Sequence, residues 1–224
     1  MTHTYMPVSL TMKGRASLVV GGGQVALRKV ETLLDYDTEI TVVAPEVDPK
    51  LEMFARHNRI TVEKRPYKSP EAADYGLVIS ASDNMDVNKR VCEDSRKAGV
   101  PVNVADAPPL CDFIFPAVVR RNCLTAAVST DGKAPFMAGH LRLVLAEIFP
   151  KHWEKLMQRA ANYRKQVQER WGDDMVRKTA AYERFVEADW ATMQKEMDDD
   201  EIKYRLEQMI ELEPQPEPDS ADDS

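Results

Sequence analysis

The stretch Ala16-Ser17-Leu18-Val19-Val20-Gly21-Gly22-Gly23-Gln24-Val25-Ala26-Leu27-Arg28-Lys29-Val30 decides the fold. Residues 16–20 are short, apolar and β-branched, as a buried strand requires. Three glycines end that run, and Val25, Leu27, Val30, Leu33 and Leu34 then recur at helical spacing. Strand, glycine turn and helix open a βαβ unit. Within it, Gly21-x-Gly23-x-x-Ala26 has the spacing of a dinucleotide-binding turn. Residues without side chains let backbone amides approach a pyrophosphate at the positive end of the following helix. The competing reading is a tight strand-to-helix packing turn, and the flanking strand and helix favour cofactor binding over it.

Outward from this unit the alternation continues. Strands are predicted at 39–43, 60–64, 77–81 and 101–104, with helices at about 48–57 and 85–98. Continuous apolar strands alternating with helices predict an α/β fold, a Rossmann-like parallel sheet covered on both faces. After Ala107-Pro108-Pro109 the texture changes to two strand-like runs, Phe113 to Val119 and Leu124 to Ser129, with a tight return at Asn122. A helix follows from Ala134 to Phe149. Residues 151–212 carry no strand signal and predict two or three helices with a break near Trp171-Gly172-Asp173. The segment from Glu213 to Ser224, rich in proline, acids and serine, is predicted to be a disordered acidic tail.

The 224 residues are 43% hydrophobic and 30% charged, and no apolar run reaches the roughly 18 residues of a spanning helix. No membrane association is expected. The first residues lack a basic patch followed by an apolar stretch, so export is not expected either. Three well-separated cysteines, Cys92, Cys111 and Cys123, suggest neither a disulfide framework nor a zinc knuckle, which fits a reducing, cytoplasmic compartment. Net charge is −7, but residues 196–224 hold 12 acids and 2 bases, so the body is mildly basic. That balance argues against a nucleic-acid partner and leaves room for an acidic small molecule.

Candidate site residues follow from the predicted strand ends. Gly21, Gly22, Gly23, Gln24, Val25 and Ala26 form the cofactor turn. Ala44, Pro45 and Glu46 follow the second strand, where an acid commonly grips ribose hydroxyls, although here none is cleanly placed. No Arg or Lys follows before Lys50, which favours NAD over NADP. Ala81, Ser82 and Asp83 follow the fourth strand and border the same crevice, with an N-cap for the helix near Val87 as the plainer role of Ser82 and Asp83. Asp106, just past the last parallel strand, is the candidate catalytic carboxylate; an Asx turn before Pro108 is the alternative. Asn103, Ser129, Thr130 and the basic residues Arg120, Arg121, Lys133 and Arg142 are candidate contacts to a polycarboxylate, against the alternative of a solvated face. His140 has no second ligand at metal spacing, so no metal site is predicted. The aromatic series from Trp153 to Trp190 is most simply helix packing, although a flat macrocycle could use one such face.

Several linked motifs resemble a known family. They are Val19-Val20-Gly21-Gly22-Gly23 with Ala26 and Arg28-Lys29, Thr41-Val42-Val43-Ala44-Pro45, Pro101-Val102-Asn103-Val104-Ala105-Asp106, Phe113-Ile114-Phe115-Pro116-Ala117 and Ala127-Val128-Ser129-Thr130. In order, over residues 6–165, the chain resembles the siroheme-synthase family, precorrin-2 dehydrogenase with sirohydrochlorin ferrochelatase. The resemblance implies an NAD-binding Rossmann domain at 1–112, a strand-plus-helix dimerisation region at 113–150 and an all-helical domain at 151–212, in a homodimer. It also implies NAD-dependent oxidation of precorrin-2 to sirohydrochlorin, followed in some members by insertion of ferrous ion as a second substrate. Asp106 matches the family's essential aspartate, and a tetrapyrrole polycarboxylate gives the basic cluster a partner. The chain departs from the family pattern at Asp131 and Ala134, commonly glycine and serine there, and Thr130 stands where some members carry a modified serine. Residues 166–224 match poorly. The alternative function is an NAD-sensing regulatory Rossmann module without catalysis.

Overall fold

A computed structural model describes residues 5–213 of the chain; the acidic tail expected from 213 lies outside the described residues from position 214 onward. Two compact units emerge, one of Met1–Pro116 with Ser129–Ala138, the other of Ala117–Val128 with Gly139–Ser224. The segment 113–150, expected as one dimerisation region, is thus divided between them.

In the first unit the elements run β1 (Arg15–Val20), α1 (Gln24–Leu33), β2 (Thr38–Val43), α2 (Pro49–Arg56), β3 (Thr61–Glu63), β4 (Leu77–Ser80), α3 (Met85–Ala98) and β5 (Val102–Val104). All five strands are parallel, in the order β3-β2-β1-β4-β5. Side chains of a strand alternate between its faces, and both faces of β1 are buried. Val19 joins Ala26, Leu27, Val30, Leu51 and Ile79 in one core cluster, with α1 and α2. Leu18 and Val20 join Val78, Val91 and Val102 in the other, with α3. A doubly covered parallel sheet has to be apolar on every residue of its central strands, which is why they read as unbroken hydrophobic runs.

In the second unit the antiparallel pair β6 (Ala117–Arg121) and β7 (Leu124–Val128) turns at Asn122, whose φ is 55°. Helix α4 (Pro135–Ile148) begins in the first unit and ends in the second. Four helices follow: α5 (Trp153–Trp171), α6 (Met175–Glu187), α7 (Trp190–Glu196) and α8 (Asp199–Glu211). Their core holds Leu156, Tyr163, Val167, Phe185, Met193, Ile202 and Leu206. Tyr163 is buried and donates to Ala181 O at 2.9 Å, and the indole nitrogens of Trp171 and Trp190 donate to Ile210 O and Phe185 O. These aromatic residues therefore pack the helices.

Two expectations change. Four helices replace the two or three predicted, because Asp189 and Asp198 cap new starts, accepting from Thr192 N–H and from Asp200 and Glu201 N–H. In an acid-rich sequence such caps are hard to tell from surface charge. The strand expected from Phe113 begins only at Ala117. Phe113 and Phe115 pack edge to face, 5.4 Å apart, against the first core cluster. Pro116 has no N–H with which to extend the ladder.

Candidate functional site

Strand register brings the candidate residues to one end of the sheet. Val43, Val20, Ser80 and Val104 are successive partners across β2, β1, β4 and β5. The chain leaves all four strands at this level: Gly21 N–H donates to Val43 O, Ala81 N–H to Val20 O and Ala105 N–H to Ser80 O, at 2.7–3.0 Å. Strand order reverses between β1 and β4, and the carboxyl end of such a switch point is where doubly wound sheets hold ligands.

The three glycines do different work. A Cβ on Gly21, whose φ is 122°, would lie 2.3 Å from Ala81 O, and one on Gly22 would lie 2.0 Å from Glu46 O. Both are required by neighbouring backbone. A Cβ on Gly23 would meet nothing within 4 Å. Gly23 is the exposed N-cap residue of α1 and offers no side-chain cap, so the amides that start the helix face an open surface. Packing therefore explains two glycines, while the third leaves room for an anionic group. Gln24 and Val25 are exposed beside it, and Ala26 is buried beneath. Gln24 Nε2 donates to Asp48 Oδ2 at 2.5 Å, and Asp48 N–H donates to Gly22 O at 2.8 Å. Asp48 also caps α2, so it ties the glycine turn to the loop after β2. In that loop Ala44 is buried, and Pro45 and Glu46 are exposed. Lys50, the first basic residue beyond them, pairs with Glu31 at 2.5 Å.

Beyond β4, Ala81 and Ser82 are half-buried and Asp83 is exposed. The cap of α3 is Asn84, which accepts from Asp86 and Val87 N–H; neither Ser82 nor Asp83 fills that position. Ser82 Oγ instead accepts from Asn84 N–H. Buried Asn88 holds this loop from below: its Oδ1 accepts from Ser80 Oγ (2.7 Å) and Ser82 N–H (3.2 Å), and its Nδ2 donates to Ser82 O (2.8 Å). Asn88 was legible only as a polar residue interrupting the buried stripe of α3.

Beyond β5, Asp106 is exposed and sits at φ 56°, the left-handed region that Asp and Asn tolerate better than other non-glycine residues. Asn103 is buried and donates to Phe113 O at 2.9 Å. Lys29, one helical turn past the glycine turn on α1, lies half-buried with its ammonium 4.1 Å from the Phe115 ring centroid. Burial holds the Lys29 ammonium below the usual lysine range, with Cys111 and Asp106 pulling the other way. From the sequence alone, Lys29 figures only as part of the Arg28-Lys29 pair in the family motif, with no role of its own.

The polycarboxylate candidates divide between the units. Ser129, Thr130 and Lys133 belong to the first, where Ser129 Oγ accepts from Asp131 N–H and Thr130 Oγ1 from Ala134 N–H. Arg120, Arg121 and Arg142 belong to the second. Arg121 donates to Phe149 O (2.7 Å), Arg120 O (2.8 Å) and Ala146 O (3.4 Å), and so neutralises carbonyls at the end of α4. Lys133 and Arg142 are exposed. A cavity of about 450 Å³ within the helical unit contains none of the candidate residues; among its cationic lining groups, Arg159 and Lys155 lie 2.5 and 4.0 Å from Asp199.

Residues 8–117 match a family described as "Putative NAD(P)-binding". Over 166 residues the chain is 39% identical to the siroheme synthase of Nitrosococcus oceani, a match covering 74% of this chain and 36% of that protein. Over 169 residues it is 41% identical to the siroheme synthase of Pseudomonas putida strain W619, covering 75% and 36%. The chain thus spans about a third of the length of these curated relatives. Among solved structures its fold is similar to that of SirC, a precorrin-2 dehydrogenase, with a TM-score of 0.71, 23% identity, and coverage of 93% of this chain and 100% of that one.

Proposed function

The chain is a homologue of the siroheme synthases over about three quarters of its length, and on that premise we propose that it oxidises precorrin-2 to sirohydrochlorin with NAD. The observation that carries the reading is the exposed Asp106 carboxylate leaving β5 at the level where β1 delivers the glycine turn. The amides at the start of α1, beyond the open Cα of Gly23, would hold the pyrophosphate, and the loops after β2 and β4 would border the rest of the cofactor. The pairing of Lys50 with Glu31 supports NAD over a 2′-phosphorylated cofactor.

When bound, the oxidised nicotinamide supplies a hydride acceptor. Asp106 then takes the proton that leaves with that hydride, so the macrocycle loses two electrons and two hydrogens without accumulating charge. Lys29 lies in the neighbourhood of this carboxylate, its ammonium held below the usual lysine range by burial. Lys133, in the same unit as Asp106, suits a carboxylate arm of the tetrapyrrole. In the chelation step known for the family, ferrous ion would be a substrate, and Asp106 could accept a ring N–H proton. Purified protein given precorrin-2 and NAD anaerobically should form sirohydrochlorin and NADH in equal amounts. Binding of NAD with no turnover of the tetrapyrrole would instead support a regulatory module. A parallel incubation of sirohydrochlorin with ferrous ion reports on chelation.

The reading includes a homodimer in the cytoplasm, the latter in keeping with three free cysteines. Helix α4 leaves Phe136 75%, Leu143 54% and Ile148 55% exposed, and β6–β7 is a two-stranded ribbon, marginal unless something packs on it. A second copy would cover both. Leu143→Glu is expected to shift the sedimenting species from dimer to monomer; an unchanged dimer would place the contact elsewhere.

A further inference from the structure

Side chains close the free edge of the sheet beside Asp106. β5 is an outermost strand, so the outward peptide groups of Val102 and Val104 have no sixth strand to pair with. The chain returning after the Asp106 turn supplies the partners. Asp112 N–H donates to Val102 O at 2.8 Å, and Asp112 Oδ2 accepts from Val102 N–H at 3.3 Å. Cys111 does the same for Val104: its sulfur accepts from Val104 N–H at 3.2 Å, and its S–H faces Val104 O at 3.1 Å and Ala107 O at 3.5 Å. Asn103 Nδ2 approaches that sulfur at 3.6 Å, and a second thiol, Cys92, donates to Leu110 O at 3.5 Å.

The turn between Val104 and Cys111 has few hydrogen bonds of its own. Pro108 and Pro109 contribute no N–H, and three backbone bonds remain within it: Ala107 N–H to Val104 O, Leu110 N–H to Ala107 O and Cys111 N–H to Pro108 O. Asp106 lies in the left-handed region, which a residue with a Cβ occupies stably only when its surroundings hold it there. The Cys111 sulfur reaches the residue before the turn and the residue just after Asp106. We propose that Cys111 is a positioning residue, its thiol holding the left-handed turn that presents the Asp106 carboxylate to the tetrapyrrole. The proposal rests on the reading of Asp106 as the general base.

The test compares Cys111→Ala and Cys111→Ser, each with and without Asp106→Asn. The alanine variant is expected to lower kcat by roughly 10- to 100-fold, the cost of a reacting group displaced by about an ångström, with the NAD dissociation constant unchanged. Serine keeps a donor and an acceptor and should recover much of that loss. In the Asp106→Asn background the alanine change should lower kcat no further, because Cys111 acts through Asp106. Amide exchange over residues 105–110 should speed at least tenfold in Cys111→Ala, whatever the substrate. Full kcat in the alanine variant, an equal loss in the Asp106→Asn background, or unchanged exchange would overturn the proposal. Should the alanine variant not fold, Cys111→Val, close to cysteine in size but with neither donor nor acceptor, carries the same comparisons. Inactivity of the unmodified protein on precorrin-2 would instead sink the proposed function and leave the exchange result to judge the brace.

Discussion

Asp106→Asn is expected to fold, to bind NAD normally and to lose roughly 10²- to 10⁴-fold in kcat for precorrin-2 oxidation, the usual contribution of a general base. The substitution is chosen for its geometry. Asparagine matches aspartate in size and tolerates φ 56° at least as well, so the turn should survive while the ability to accept a proton disappears. Asp106→Ala would confound the experiment by straining the backbone as well. Anaerobic absorbance of sirohydrochlorin and NADH reads the rate, and thermal unfolding with and without NAD reads fold and binding. Turnover undiminished in a folded variant would remove Asp106 from the chemistry.

The second large effect separates packing from ligand binding within a single turn. Gly21→Ala places a Cβ 2.3 Å from Ala81 O at φ 122°, and both partners are backbone at the centre of the sheet. Neither can yield cheaply, so a loss of about 3 kcal/mol or more and a fall in Tm on the order of 10 °C are expected. Gly23→Ala, with open space around the new methyl, should lower Tm by only a few degrees, the cost of alanine against glycine at an N-cap being about 1 kcal/mol, and weaken NAD binding by about tenfold, or ~1.4 kcal/mol. Thermal shift and NAD titration of the two variants decide the matter. Unimpaired NAD affinity in Gly23→Ala would mean that the glycine turn is a packing device alone.

The parallel sheet could be read from the chain because its cause is local and repeated. Strands buried on both faces must be apolar throughout, and the helices between them must carry a stripe, so β1, β2, β4 and α3 lie within a residue or so of their expected limits. Boundaries set by single side chains were less visible. Asn84 rather than Ser82 or Asp83 caps α3, and Asp189 and Asp198 divide the last helices, because a cap is recognised by the amide it faces and not by its residue type alone.

The candidate site divides in the same way. Composition and spacing by themselves placed the glycine turn on a strand-to-helix junction and Asp106 past the last strand, since both are properties of consecutive residues. They could not tell that two of the glycines answer to Ala81 and Glu46, that Asp48 ties Gln24 to the next loop, or that Asn88 and Cys111 brace the loops carrying Ser82 and Asp106. Each of these pairings joins different elements or closes a loop back on itself. Only when register sets Val43, Val20, Ser80 and Val104 side by side does any such side chain acquire its partner.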